Sequence, residues 1–409
     1  MLEATKAGAN SVRYLNELRA LDVLFRDGAM SRADLARLLG LNRSTTSSIV
    51  NSLLAQSLLL ERSQEVASEK RVQTGRPGID VELNPQGALF IGVGVEVDQL
   101  TAVLIDLTGK VVAREVSAFP VSSRPAGDAA DKVAEMALSL AGSDTSRKNV
   151  RGIGIAAPAL VEAGMARLGL LLNWRDVPFA QFVSDRIDLD APIVLENDAN
   201  AFAIAETYHG NSRNVGTVVF VVIESGAGAG IVSDGRLFRG GRGMAGEIGH
   251  LYVGGAGYAP GGRGLLESYV GKEAVLARYK KFSGSEISLT RFLELLAQED
   301  QAAVRTAQDW SKWLSRGLSH IANLLNPDLF IIGGSVGRMF PSVASQVSAS
   351  LSATLKSQDQ MPRFEMSEIG IEGPAFGAAL LLHQRMFSVD ERAVFPKGDA
   401  RGLMRVTSA

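Results

Sequence analysis

A chain of 409 residues, 46% hydrophobic and 21% charged, exceeds what one ordinary core accommodates and fits two or three domains of roughly 100–200 residues each. Zero cysteines exclude disulfides, thiolate chemistry and cysteine-ligated zinc. No apolar run reaches the ~18–20 residues of a membrane span and no charged-then-apolar leader opens the chain, so a cytoplasmic protein with no membrane partner is expected. The formal net charge of −2 leaves nucleic acid open as a partner, because a basic patch can hide inside a balanced total.

The first predicted helix covers 12–25, where Val12, Leu15, Leu18, Leu21, Leu24 and Phe25 recur at helical spacing before Asp27-Gly28. Ser31 then caps a short helix over Arg32–Leu39, Gly40 turns the chain, and Asn42 caps a third helix with Ile49, Val50, Leu53 and Leu54 on its apolar face. Two helices about a tight glycine turn are the geometry of a helix-turn-helix. The start of the third helix offers Arg43, Ser44, Thr45, Thr46, Ser47 and Asn51, short donors and acceptors suited to phosphates and base edges, although a polar helix face is also what solvent selects. Leu58–Leu60 and Ile79–Leu83 read as the strands of a wing, and Gly75-Arg76-Pro77-Gly78 presents an arginine on a stiff loop, for DNA or for packing against the next domain. Residues 1–80 carry eleven Lys/Arg against nine Asp/Glu, so DNA affinity would depend on where a few arginines sit.

Past Asn84-Pro85 the pattern changes to a meander of apolar strands at Phe90–Val95, Leu100–Leu107 and Val111–Ala113, a helix near Ala129–Ala141, and buried strands at Val150–Ala156 and Ile193–Leu195. The set nearly repeats at Val218–Ile223, Ala229–Val232 and Leu329–Ile332, which predicts two α/β lobes facing a cleft.

Several motifs run through this region: Gly152-Ile-Gly-Ile-Ala-Ala-Pro158, Leu195-Glu-Asn-Asp-Ala-Asn200, the series Gly226, Gly228, Gly230, then Gly246-Glu-Ile-Gly-His250, Gly264-Leu-Leu-Glu267, Asn326-Pro-Asp and Gly333-Gly334-Ser335. With them the chain resembles, over essentially its whole length, the ROK family of repressors, open reading frames and sugar kinases. The resemblance implies an α/β fold: an N-terminal winged helix-turn-helix (1–84), then a two-lobed actin-like ATPase or sugar-kinase-like domain. Its lobes would span 85–199 with 374–387, and 200–373, leaving an irregular tail over 388–409. A sugar pocket needs carboxylates, an amide and an imidazole converging on a ring of hydroxyls, and Asn197, Asp198, Glu247, His250 and Glu267 supply that set. The position of Asp198 is that of the base in family kinases, though by itself an aspartate there also serves as a helix N-cap, and His250 as a surface histidine. Trp174 could place a substrate loop or simply belong to the core.

Two departures from the family pattern carry functional weight. Family kinases hold phosphate in an Asp-x-Gly-Gly-Thr loop, and here Gly94-Val95-Glu96-Val97-Asp98 stands in its place, while the second phosphate hairpin begins Glu224-Ser225-Gly226. Each carboxylate facing a phosphate at ~4 Å costs on the order of 4 kcal/mol at an effective dielectric near 20. Kinase activity is therefore expected to be lost, with no catalytic residue and no cofactor. The cysteines of the family zinc site are replaced by Tyr258, Pro260 and Leu265, so no metal is expected, the loop being held by packing of Tyr258 and Leu265. The expectation is a sugar-responsive transcriptional regulator, most simply a repressor, that binds palindromic or inverted-repeat operator DNA as a homodimer or homotetramer and takes a sugar or sugar-phosphate effector. The alternative is a bifunctional ATP-dependent sugar kinase.

Overall fold

A computed structural model of the chain describes residues 2–63, 79–209, 215–241, 243–255, 264–356, 361–370 and 372–387. At the N-terminus α1 (Leu2–Asp27) is longer than its apolar spacing predicts, because residues 2–9 carry Ala, Glu and Lys, which favour helix without forming a stripe. After β1 (Met30–Ser31), the Ser31 side chain accepts from Asp34 N to cap α2 (Arg32–Leu39), and Gly40, at φ +68°, ends it. Asn42 Oδ1 accepts from Thr45 N at 2.8 Å and starts α3 (Arg43–Ala55). Leu21, Leu24, Leu35, Leu39, Ile49, Val50 and Leu53 are buried together. Strands β2 (Leu59–Ser63) and β3 (Ile79–Leu83) pair antiparallel, and β1 joins the far side of β3, giving a winged helix-turn-helix. Arg76 lies outside the described residues, as do Tyr258, Pro260 and the 388–409 tail.

The two lobes have the same sheet topology. In the first, β4 (Leu89–Val95), β5 (Gln99–Asp106) and β6 (Val111–Ala118) form an antiparallel meander. Strand β7 (Val150–Ala157) pairs parallel to β4, and helices α4 (Ala126–Ala141), α5 (Asp144–Arg147) and α6 (Phe179–Ser184) accompany it. A small antiparallel sheet of β8 (Leu160–Glu162), β9 (Met165–Gly169) and β10 (Trp174–Val177) leaves the end of β7, and β11 (Ile193–Asn197) closes the main sheet in the order β11-β7-β4-β5-β6. Strand β6 outruns its sequence reading because Arg114 and Glu115 sit on an edge strand, where exposure tolerates charge.

Helix α7 (Asp198–His209) leads into the second lobe, where β12 (Thr217–Ile223) and β13 (Ala227–Ser233) form a hairpin and β14 (Arg236–Leu237) pairs antiparallel to β13. The short α8 (Glu267–Val270) and α9 (Lys272–Ser283), with α10 (Leu289–Ala297) and the 25-residue α11 (Gln301–Leu325), pack its outer face. Strand β15 (Leu329–Gly333), α12 (Ala344–Thr354) and β16 (Arg363–Met366) complete the sheet β14-β13-β12-β15-β16, and α13 (Gly373–Phe387) returns to the first lobe. No helix among the described residues is long and apolar enough to cross a membrane.

Helices α7 and α13 are packed against each other between the lobes, α13 lying on β4 and β7 and α7 on β13. The approach is close enough that only glycine and alanine fit. A Cβ at Gly377 would lie 1.7 Å from the Ala201 carbonyl oxygen, one at Gly92 1.9 Å from that of Ala375, and one at Gly154 2.0 Å from that of Ala378. On the other side a Cβ at Gly230 would meet Ala203 Cβ at 2.4 Å. The motif glycines that carry the family resemblance thus include two, Gly154 and Gly230, whose local necessity is helix-on-sheet contact.

The winged head shares a core with this junction. Phe25, at the end of α1, has its ring centroid 5.1 Å from His383 and 5.2 Å from Phe387 on α13, and 5.9 Å from Tyr208 on α7. His383 is fully buried, and its Nε2 donates to the Leu107 carbonyl at 2.8 Å. Burial pushes its pKa down to about 4, so it is neutral at physiological pH.

Gly377→Ala is expected to force α7 and α13 apart and lower stability by about 3 kcal/mol or more, as overpacking against backbone does. Gly241→Ala, where a Cβ meets nothing within 4 Å, serves as control and should change stability by less than ~0.5 kcal/mol. Chemical denaturation of both variants checks this.

Candidate effector site and DNA-facing surface

Where β11 ends and α7 begins, Asn197 Oδ1 accepts the Asn200 N–H at 3.1 Å and its Nδ2 donates to the Ala159 carbonyl at 3.2 Å. The helix cap therefore belongs to Asn197. Asp198 Oδ1 accepts the adjacent Ala199 N–H at 2.9 Å, and the residue stands half-buried at the cleft wall. Burial, helped by the charges of Glu247 and Glu224, pushes its carboxyl up to about 6.

The opposite wall comes from the second lobe. Gly246, at φ +96°, passes so close to β13 that a Cβ would lie 1.8 Å from the Ala229 carbonyl oxygen, and Ala229 N donates to the Gly246 carbonyl at 2.8 Å. This pins Glu247, whose carboxyl is raised by burial and by Glu267 and lowered by His250. His250 Nε2 lies 3.7 Å from Glu267 Oε1. Gly249 and Gly226 leave room for Glu267, since Cβ atoms there would stand 3.0 and 3.4 Å from its Oε2.

Asn197, Asp198, Glu247, His250 and Glu267 line one cleft of about 190 Å³, below the ~300–1,000 Å³ of sites for drug-sized molecules and suited to one small polar ligand. Its apolar wall, Leu168 of β9 with Leu170 and Leu171 of the turn between β9 and β10, carried no sequence signal. Trp174 belongs to the core, its ring 4.4 Å from that of Phe179. Leu265 is half-buried and bridges to Tyr252.

Toward the expected nucleotide side the cleft is acidic. The β4–β5 turn carries Glu96, Val97 and Asp98, with Gln99 Nε2 donating to Glu96 Oε2 at 2.8 Å. Burial raises the Glu96 carboxyl to about 7, and the charges of Asp98, Glu224 and Asp198 push the same way. In the β12–β13 turn, one oxygen of Glu224 accepts the Ser335 N–H at 2.6 Å and the other accepts the Ser335 hydroxyl. Gly334, at φ +86°, makes this approach possible. A carboxylate thus occupies donors of the Gly333-Gly334-Ser335 turn, a contact that residues 111 apart in sequence do not announce. No lysine or arginine lines the cleft among the described residues.

On the head, Arg43, Ser44 and Asn51 are exposed and Thr45 and Ser47 half-exposed. Thr46 is not available to DNA: it is 1% exposed, and its hydroxyl donates to the Asn42 carbonyl at 3.1 Å, so it faces the core of the head. Ser48, absent from the sequence reading, is exposed one turn after Ser44 and shares its face. The Ser31 hydroxyl is engaged by Asp34 at 2.7 Å, the Asn42 side chain by its cap, and Asn51 Oδ1 by Arg32 Nη1 at 3.0 Å.

Because the folded pKa of Glu96 lies above its ordinary value, ionising it costs stability, in full above about pH 7, and the cost vanishes below about pH 4.5. Glu96→Gln should therefore raise the thermal midpoint by about 2 °C or more at pH 8, by progressively less as pH falls from 7, and not at all at pH 4. Thermal scans across that range check the sign.

Comparison with known proteins accords with this geometry. A xylose repressor of Bacillus spizizenii is 26% identical over 387 residues, covering 92% of this chain and 97% of its own. A glucokinase of Halalkalibacterium halodurans is 26% identical over 334 residues, covering 74% and 97%. In fold, the crystal structure of a ROK family transcriptional regulator, described as a homolog of the E. coli MLC protein, superposes with a TM-score of 0.77 at 23% identity, covering 92% of this chain and 97% of that one. The ROK family model itself matches residues 90–385, and the chain belongs to the ROK family.

Proposed function

We propose that this protein is a sugar-responsive transcriptional repressor whose kinase-like domain binds a monosaccharide without phosphorylating it. The observation that carries the reading is the charge of the cleft. Its ligand-facing walls retain an amide, three carboxylates and an imidazole, while the phosphate side holds Glu96, Asp98 and a Glu224 already bonded to Ser335. Like charges there oppose ATP, and oppose a sugar phosphate for the same reason, so an unphosphorylated sugar is the favoured effector. D-xylose is the first candidate, from the name of the Bacillus relative, and D-glucose the second.

Signal would travel through the crossing of α7 and α13. A sugar bound by Asn197 and Asp198 on one lobe and Glu247 and Glu267 on the other favours closure, which rotates the two helices against each other beneath Phe25. The heads of a symmetric dimer, reading half-sites ~34 Å or a multiple apart with Arg43, Ser44 and Ser48, then lose register with an inverted-repeat operator. An apolar groove of about 880 Å³ on the second lobe, rimmed by exposed Phe238, Met244 and Leu324, would be the surface that takes the second copy of this dimer.

One observation favours a second reading, a sugar kinase that also binds DNA: Asp198 is retained with its carboxyl near neutrality, as a general base requires. Calorimetric titration separates the two. The regulator binds D-xylose or D-glucose but not ATP–Mg, loses the sugar by at least tenfold in Asp198→Ala, and releases no ADP. Sugar-dependent ADP release abolished by Asp198→Asn establishes the kinase instead. Arg43→Ala should weaken DNA binding roughly tenfold without altering sugar affinity, and unchanged DNA affinity removes α3 from the interface.

A further inference from the structure

We infer that Arg239, which does not itself line the cleft, is the positioning residue that joins its two halves; for sugar binding this rests on the reading of the cleft given above. Glu196 precedes Asn197 and is 7% exposed, so its carboxylate needs partners. One oxygen accepts the Asn197 N–H at 3.0 Å and the Asn200 side-chain amide at 3.0 Å. The other takes Arg239, whose Nε and Nη2 both lie at 2.9 Å. One oxygen of Glu196 is thereby held from within the Asn197–Asn200 segment and the other by a guanidinium from the opposite lobe.

The backbone of the same residue fixes the other wall. Arg239 follows β14, and its carbonyl accepts the Ala245 N–H at 3.1 Å, closing the short loop that leads directly into Gly246 and Glu247. Gly240, at φ +68°, turns the chain so that a Cβ there would stand only 3.3 Å from Ala245 Cβ. Arg239 therefore holds Asn197 through its side chain and Glu247 through its main chain. Neither Arg239 nor Glu196 is among the residues lining the cleft, so the effect on a ligand is through position alone. Two nitrogens directed at one oxygen also make arginine hard to replace, because a lysine ammonium brings the charge without the planar fork.

The test uses the full-length protein with D-xylose and D-glucose as probes, and hydrogen exchange on the unliganded protein. Arg239→Met is expected to weaken binding of whichever probe the wild type binds by tenfold or more, and Arg239→Lys by roughly threefold to tenfold. In Arg239→Met, exchange of the Asn197 amide and of amides 245–247 should accelerate at least tenfold while that of β4 and β7 stays unchanged. Glu196→Gln combined with Arg239→Met removes the unpaired buried charge, so the thermal midpoint recovers while sugar affinity and the 245–247 segment remain impaired; a merely stabilising ion pair would restore all three together. Exchange within threefold of wild type at both segments overturns the inference, as does unchanged affinity in Arg239→Met for a sugar the wild type binds. If the wild type binds neither sugar, the reading of the cleft fails for these probes, and hydrogen exchange alone decides whether Arg239 joins the two walls.

Discussion

The backbone of Ala201 occupies the space that a side chain at position 377 would need, and the mutual approach of α7 and α13 at that point organises the rest of the molecule. Each helix starts at the end of one lobe's sheet and packs on the other, so neither lobe can move without moving the crossing. Close packing makes such a contact bistable rather than softly deformable. The cleft residues Asn197 and Asp198 begin one of these helices, and the aromatic socket of the winged head, His383 and Phe387, ends the other. The cleft and the winged head therefore meet the same mechanical element from opposite ends, which under the proposed function couples ligand to DNA.

Under the proposed function, electrostatics decides what that element responds to. A kinase cleft must be short of negative charge where triphosphate lies, and here Glu96 and Asp98 stand on one hairpin and Glu224 on the other. Burial chiefly raises the Glu96 and Asp198 carboxyls, and the neighbouring acids push the same way. Glu224 goes further than repulsion, because its oxygens bond the backbone and hydroxyl of the turn opposite. A neutral ring of hydroxyls suits the remaining cavity better than an anion.

Local chemistry made the head and the lobe strands legible in the sequence. Ser31, Gly40 and Asn42 announce helix ends because a cap needs only its own neighbours, and apolar runs such as Val218–Ile223 announce buried strands. Thr46 misled for the same reason: its hydroxyl is satisfied four residues back by Asn42, so a residue polar in sequence is apolar in use. What stayed hidden depends on pairs distant in the chain. The Arg239–Glu196 contact spans 43 residues and Glu224–Ser335 spans 111. The small sheet of β8, β9 and β10, which supplies the leucine wall, has strands of three to five residues, too short for an alternation to register.

The most direct test of coupling through the crossed helices is to measure operator affinity with and without saturating sugar in wild type and Phe25→Leu. The DNA would be an inverted repeat selected by the wild-type protein from random sequence. The account predicts that the sugar lowers wild-type DNA affinity by about 5–150-fold, while Phe25→Leu binds sugar and free operator normally yet responds to the sugar several-fold less. An undiminished response in Phe25→Leu would contradict it, and would mean that the head is moved by some contact other than the aromatic socket on α7 and α13.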